Sequence, residues 1–222
     1  MWGRGSPVAR LLVFDLDGTL VDSSRDIAAA ANAAIGRVAP GAPEIPLEAI
    51  LSFVGEGARL LVERSLRHVG LDLPADEVLP VYLECYAERL LDTTRLYPGI
   101  AEALDALTGT ALGVLTNKPG DMSRTILEGL GVAPRFARIW GAGDVPSRKP
   151  DPAGLLRLMG DLGAVAADTW MVGDSATDVG AARAARVPVA GVTWGFHPRA
   201  LRAAGPDLLI DHPRDLPSLA AR

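Results

Sequence analysis

The chain has 222 residues, 49% hydrophobic and 22% charged, which excludes a disordered, collagen-like or disulfide-held class and leaves room for one or two globular domains. Twenty-seven acidic residues against 22 basic ones give a net charge of -5 with no basic block, which argues against a general affinity for nucleic acid. The one cysteine, Cys85, permits no internal disulfide and fits a reducing compartment.

Arg4 and Arg10 precede an apolar run, residues 11–14, that is shorter than the roughly 7–15 residues of a secretory signal, so a cytoplasmic location is expected. No uninterrupted apolar stretch approaches the roughly 20 residues that cross a bilayer, so no membrane partner is expected. Residues 11–14 form a continuous apolar run that predicts a strand buried on both faces. From about residue 22 to 97 only helical patterns follow, over 25–38, 47–53, 57–69 and 76–91, with a Pro- and Gly-rich loop at 39–46. Ala58, Leu61, Val62, Ser65, Leu66 and Val69 recur at spacings of three and four, one buried helix face. The block reads as a second, all-helical domain spanning 22–97, inserted between core segments 1–21 and 98–222.

After residue 98 strands and helices alternate. Apolar runs at 111–115, 139–140, 169–172, 189–192 and 208–210 are separated by helical patterns at 98–107, 119–130, 152–162 and 177–185. Such alternation predicts an α/β fold, a doubly wound parallel sheet with helices on both faces.

Ligands of an open parallel sheet sit at the carboxyl ends of its strands, so the residues directly after each apolar run carry the chemistry. These are Asp15-Leu16-Asp17-Gly18-Thr19, Thr116-Asn117-Lys118, Lys149-Pro150-Asp151-Pro152 and Gly173-Asp174-Ser175, with Asp178 four residues beyond Asp174. Carboxylates gathered from separate strands repel one another, and an all-oxygen set suits a hard cation, Mg²⁺ before Ca²⁺. His68, His197 and His212 lack the spacing of zinc ligands. Mg²⁺ held by few carboxylates takes phosphate oxygens, which implies a phosphorylated small metabolite as partner. Thr116 and backbone N–H groups near Gly18 and Asn117 can donate to phosphoryl oxygens, and Lys149 adds a positive charge. Of Asp15 and Asp17, one can attack phosphorus while the other moves protons. Lys118 and Lys149 are the only lysines in the sequence; for Lys118, though not for Lys149, chance in an arginine-rich chain stays open as the explanation. Gly55-Glu56-Gly57 lacks the Lys and Ser/Thr of a P-loop and reads as a hinge or helix start, and Trp194-Gly195-Phe196 reads as lining a cleft or, by preference, as packing.

The run Asp15 to Ser23, with Thr116-Asn117-Lys118-Pro119, Lys149-Pro150-Asp151-Pro152 and Gly173-Asp174-Ser175-Ala176-Thr177-Asp178, resembles the haloacid dehalogenase (HAD) superfamily of phosphohydrolases. Within it the chain is most similar to the bacterial phosphoglycolate phosphatase branch. The resemblance implies a Rossmann-like HAD core with a helical cap over 22–97, and a phosphatase acting through an aspartyl-phosphate. It makes Asp15 the nucleophile and Asp17 the general acid/base. Thr116 would bind the phosphoryl group, and Lys149 would neutralise charge. Mg²⁺ would be held by Asp15, Asp174 and the Asp17 carbonyl, with Asp178 acting through its neighbours. If the substrate is 2-phosphoglycolate, its carboxylate needs a cation, for which Arg59, Arg64 and Arg25 are candidates. Sugar-phosphate phosphatase, β-phosphoglucomutase-like transfer and pyrophosphatase share these motifs. A phosphoaspartate receiver module or a dinucleotide-binding module fits them less well, because two acids end one strand and no Gly-rich turn follows it.

Overall fold

Leu11, Leu12, Val13 and Phe14 are all fully buried, so β1 (Leu11–Phe14) can only be an interior strand. Successive side chains point to opposite faces. Leu12 and Phe14 join one apolar cluster with Ile126 and Leu127, while Leu11 and Val13 join a second with Leu155, Leu158 and Val179. Burial of each such side chain contributes about 1.5–3 kcal/mol, which anchors the sheet between two helical layers. This computed structural model describes residues 10–221; Arg4 lies outside the described residues.

After β1 come β2 (Val21–Asp22), α1 (Ser24–Val38), α2 (Leu47–Leu51), α3 (Ala58–His68), α4 (Ala75–Ala87), β3 (Arg95–Leu96) and α5 (Ile100–Ala106). The chain continues through β4 (Ala111–Pro119), α6 (Gly120–Gly129), β5 (Arg138–Ala142), α7 (Ala153–Leu162) and β6 (Thr169–Gly173). It closes with α8 (Ala176–Ala184), β7 (Val189–Val192), α9 (Pro198–Ala204) and β8 (Leu208–Ile210). Six parallel strands lie in the order β5-β4-β1-β6-β7-β8, the doubly wound sheet that the alternation predicts. The order reverses around β1, which opens a crevice at its carboxyl end. Phe14 pairs with Val114 on one side and Val172 on the other. Asp15, Thr116 and Asp174 therefore emerge at one rim. No helix among the described residues is long and apolar enough to cross a membrane.

The helical stretch differs from expectation at its roots. Val21 and Asp22 pair antiparallel with Leu96 and Arg95, a two-residue ribbon where only helices were foreseen. Two residues carry no periodicity, so the pairing has no sequence signal. Helix α9 also escaped the pattern, although Pro198 in its first turn, buried Leu201 and left-handed Gly205 at its end are standard boundary chemistry.

Asp26, in the first turn of α1, ties the outgoing arm of the helical segment to its returning arm. Its carboxylate accepts hydrogen bonds from Thr93 N (3.0 Å), Thr93 Oγ1 (2.5 Å), Thr94 N (2.8 Å) and Thr94 Oγ1 (2.7 Å), and it is buried. Burial alone would raise this carboxyl, but the Thr93 and Thr94 donors outweigh it and hold it below its ordinary value. Asp26→Asn is expected to lose about 2–4 kcal/mol at pH 7, because charge-assisted bonds are lost and an NH₂ group faces donors. A depressed folded pKa contributes stability above the unfolded value, about 3.9, and that stability disappears as pH falls through the folded value. The gap between wild type and Asp26→Asn in urea unfolding should therefore be constant from pH 5 to 7 and shrink below about pH 4. A gap that widens on acidification would contradict this account.

Candidate active site

The rim is built from strand ends. Asp15 directly follows β1, its amide bonded to Val172 O at 2.9 Å, which fixes it against β6. Thr116, Asn117 and Lys118 lie in the last part of β4, and all three are buried. Asp174 follows β6 directly. Lys149, on the segment between β5 and α7, reaches the same place: its Nζ lies 2.8 Å from Asp15 Oδ1 and 2.7 Å from Asp178 Oδ1. The Lys149 ammonium is the one charged partner that Asp15 Oδ1 has among the described residues.

Asp178 is engaged through both oxygens. Oδ1 accepts from Lys149, and Oδ2 accepts from Ser175 N (3.1 Å) and Ser175 Oγ (2.5 Å), closing a capping box at the start of α8. Asp174 Oδ2 accepts from Phe196 N at 2.7 Å. One carboxylate oxygen each from Asp15, Asp174 and Asp178 lies within 4.8 Å of the others. Burial pushes the Asp15 carboxyl up to about 6; Lys149 opposes this, while Asp178 and Asp17 add to it. Burial, then Asp178 and Asp15, push Asp174 well above the ordinary carboxylate value. For Lys149 burial works downward, but Asp15 and Asp178 outweigh it and hold the ammonium above its usual value.

Three buried carboxylates against one ammonium leave uncompensated negative charge, and the donor set is entirely oxygen. Such a cluster fits a hard divalent cation, with Asp15 and Asp174 offering the oxygens that Asp178 has committed elsewhere. Two glycines make the cluster possible. A Cβ on Gly18, whose φ is +79°, would lie 2.3 Å from Asp174 Oδ2, and one on Gly195 would lie 2.3 Å from Asp174 Cβ. Gly18→Ala should therefore displace Asp174. A millimolar divalent cation is expected to raise the Tm of the wild-type protein, and that rise should be lost in the variant; an undiminished rise would show that Asp174 tolerates the methyl group.

Asp17 is held where sequence reasoning assigned no partner. Lys118 Nζ donates to Asp17 Oδ1 (2.9 Å) and Oδ2 (2.8 Å) and to Tyr86 Oη of α4 (2.6 Å). Ser23 Oγ donates to Asp17 Oδ1 at 2.5 Å. The scarcity of lysine in an arginine-rich chain was the one available signal for Lys118. Trp194-Gly195-Phe196 does more than pack: Trp194 Nε1 donates to Thr19 O at 3.1 Å, the Phe196 amide holds Asp174, and Phe196 lines the cleft.

The cleft lies between this rim and the helical segment, whose Ile27, Leu61, Leu83 and Tyr86 form an apolar wall. Gly55 and Gly57 border its mouth, with Gly57 directly preceding α3. Asn117 is committed to structure through its side chain: Nδ2 donates to Gly55 O and Lys149 O, both at 2.9 Å, and Oδ1 accepts from Lys149 N at 2.8 Å. Arg59 pairs with Asp76 and Glu63, and Arg64 with Glu56. Neither these two nor Arg25 lines the cleft in this conformation. Arg25 borders a separate surface groove with Asn32 and Glu44.

Residues 12–192 match the family model described as haloacid dehalogenase-like hydrolase. A phosphoglycolate phosphatase of Pseudomonas putida is 39% identical over 215 residues, covering 93% of this chain and 78% of that protein. One of Agrobacterium fabrum is 36% identical over 210 residues, covering 92% and 89%. The crystal structure of a predicted phosphoglycolate phosphatase from Haemophilus somnus 129PT superposes with a TM-score of 0.88 at 31% identity, over 97% of this chain and 99% of that one. Strand order, rim chemistry and these likenesses agree that the chain belongs to the haloacid dehalogenase-like hydrolase family and is a phosphatase.

Proposed function

We propose that this phosphatase is Mg²⁺-dependent and hydrolyses a small phosphomonoester, foremost 2-phosphoglycolate, through a phosphorylated Asp15. The observation that carries the reading is the meeting of Asp15, Asp174, Asp178 and Lys149 Nζ at one rim. The names of the relatives from Pseudomonas putida and Agrobacterium fabrum support the choice of substrate.

Mg²⁺, when held by the Asp15 and Asp174 side chains and the Asp17 carbonyl, would supply positive charge against the phosphoryl oxygens. A carboxylate oxygen of Asp15 attacks phosphorus as the ester P–O bond breaks, and Asp17, entering this step as the protonated acid, delivers its proton to the departing alkoxide. Asp17 then takes a proton from the water that attacks the acyl phosphate, and phosphate leaves as the Asp15 carboxylate is restored. Thr116 and the backbone N–H groups around Gly18 and Asn117 bind the phosphoryl oxygens, and Lys149 neutralises charge as it builds. Asp178 holds Lys149 and acts through it. Residues 22–97 serve as the cap that covers the rim and excludes water. Arg59 and Arg64, engaged by acidic partners and outside the cleft lining, are the cap cations offered for a substrate carboxylate. The lone buried cysteine suits the cytoplasm, where we place the enzyme.

A panel of small phosphomonoesters and pyrophosphate, assayed with Mg²⁺ and again with a chelator, tests this reading. The highest kcat/KM is expected for 2-phosphoglycolate, with activity lost on chelation. Preference for a sugar phosphate or pyrophosphate would defeat the substrate assignment, and full activity in chelator would defeat the Mg²⁺ assignment.

A further inference from the structure

The two lysines of this chain serve two different carboxylates. Lys149 faces Asp15 and Asp178, whereas Lys118 faces Asp17 alone. Lys118 is buried, spans both Asp17 oxygens, and donates to the hydroxyl of Tyr86, whose ring centroid lies 4.4 Å from Nζ. Tyr86 belongs to α4 of the helical segment and stacks on Tyr82 with ring centroids 5.9 Å apart. Asp17 and Lys118 belong to the strand ends of the sheet. The contact therefore joins a carboxylate at the rim to the helical segment through one ammonium group.

An ammonium is compact and carries three donors in tetrahedral array, which allows it to face a carboxylate and a phenol at once. Ser23 Oγ bonds the same carboxylate, so Asp17 has fixed partners on each oxygen. A side chain held in this way keeps one orientation relative to its neighbours, and misplacement by about 1 Å costs on the order of 10² in rate.

We propose that Lys118 is a positioning residue for Asp17, and that Tyr86 of α4 holds Lys118 in place, so that the orientation of the proton-transferring carboxylate depends on both side chains. The proposal rests on the reading of Asp17 as the acid that protonates the leaving group. That role has a signature: an aliphatic alkoxide needs the proton, whereas p-nitrophenolate departs without it.

Single-turnover rates of leaving-group release are therefore compared for p-nitrophenyl phosphate and for the best aliphatic ester of the panel. The proteins are wild type, Asp17→Asn, Lys118→Met and Tyr86→Phe, each checked for folding by circular dichroism. Asp17→Asn serves as the reference and should be impaired selectively on the aliphatic ester. Lys118→Met should show the same selectivity, with a rate loss on the order of 10²-fold on the aliphatic ester, less than about threefold on p-nitrophenyl phosphate, and KM little changed. Tyr86→Phe, which keeps the ammonium, should lose roughly 3–10-fold with the same selectivity. It carries the test if Lys118→Met does not fold.

Equal losses on both esters in Lys118→Met or Tyr86→Phe, beside a selective Asp17→Asn, would overturn the positioning role and leave the acid assignment intact. A raised KM at unchanged rate in Lys118→Met would make Lys118 a substrate-binding cation and would also overturn it. An unselective Asp17→Asn would bring down the acid assignment and this inference together, and wild type inactive on every ester would fail the phosphatase reading itself.

Discussion

Asp15→Asn is expected to abolish turnover, lowering kcat by on the order of 10⁴-fold or more while the protein remains folded. An amide oxygen is a poor nucleophile toward phosphorus, and no other carboxylate at the rim stands free to replace Asp15. Asp178 is bonded through both oxygens, Asp174 is held by the Phe196 amide, and Asp17 is held by Lys118 and Ser23. Acid quench of the wild-type protein turning over labelled ester should leave phosphate on the chain, releasable by hydroxylamine as expected of an acyl phosphate. The variant should retain no label. Residual steady turnover above trace contamination, or label on another residue, would show that Asp15 is not the nucleophile.

Lys149→Met should cost both activity and stability. The ammonium opposes Asp15 at 2.8 Å and Asp178 at 2.7 Å, and all three groups are buried. Removing one partner of a buried ion pair leaves uncompensated charge, which typically costs about 3–5 kcal/mol. For a chain of this size each kcal/mol lowers Tm by roughly 2–4 °C, so a fall on the order of 10 °C is expected in the absence of divalent cation. Activity should fall on the order of 10³-fold, since neither attack nor phosphoryl charge then has its ammonium. Added divalent cation should recover more Tm in Lys149→Met than in wild type, because the cation then meets three carboxylates with no internal counter-charge. A variant as stable as wild type without cation would show that Asp15 and Asp178 tolerate one another through some other neutralisation. A variant with full activity would remove Lys149 from the chemistry.

The strand ends were legible because β1 is apolar at four successive positions and then turns abruptly to Asp15. An interior parallel strand with a crevice beyond it accommodates that pattern, and the alternation of strands and helices after residue 98 supplies the sheet for it. Thr116 and Asp174 were legible for the same reason. Helix α3 showed through its buried face at spacings of three and four. The β2–β3 ribbon was not legible, since two-residue pairing is decided by which segments the helices bring together. Asp26 looked like an ordinary acid in a helix first turn, and only the return of Thr93 and Thr94 reveals the carboxylate as a clasp.

Lys118 marks the limit most clearly. One lysine beside an asparagine at a strand end is chemically ambiguous, and its role depends on Asp17, 101 positions away in sequence, and on Tyr86, 32 positions away. The arginines show the converse: Arg59 and Arg64 are available cations on paper, and their acidic neighbours engage them in space. By itself the sequence determined the layered sheet, the acidic rim and the order of the motifs, because burial period and strand-end chemistry are local properties. Which carboxylate each lysine serves, which arginines stay out of the cleft, and how the helical segment meets the rim were decided by the tertiary structure alone. Ion pairs and hydrogen bonds between distant segments are set by distances that exist only once the chain has folded.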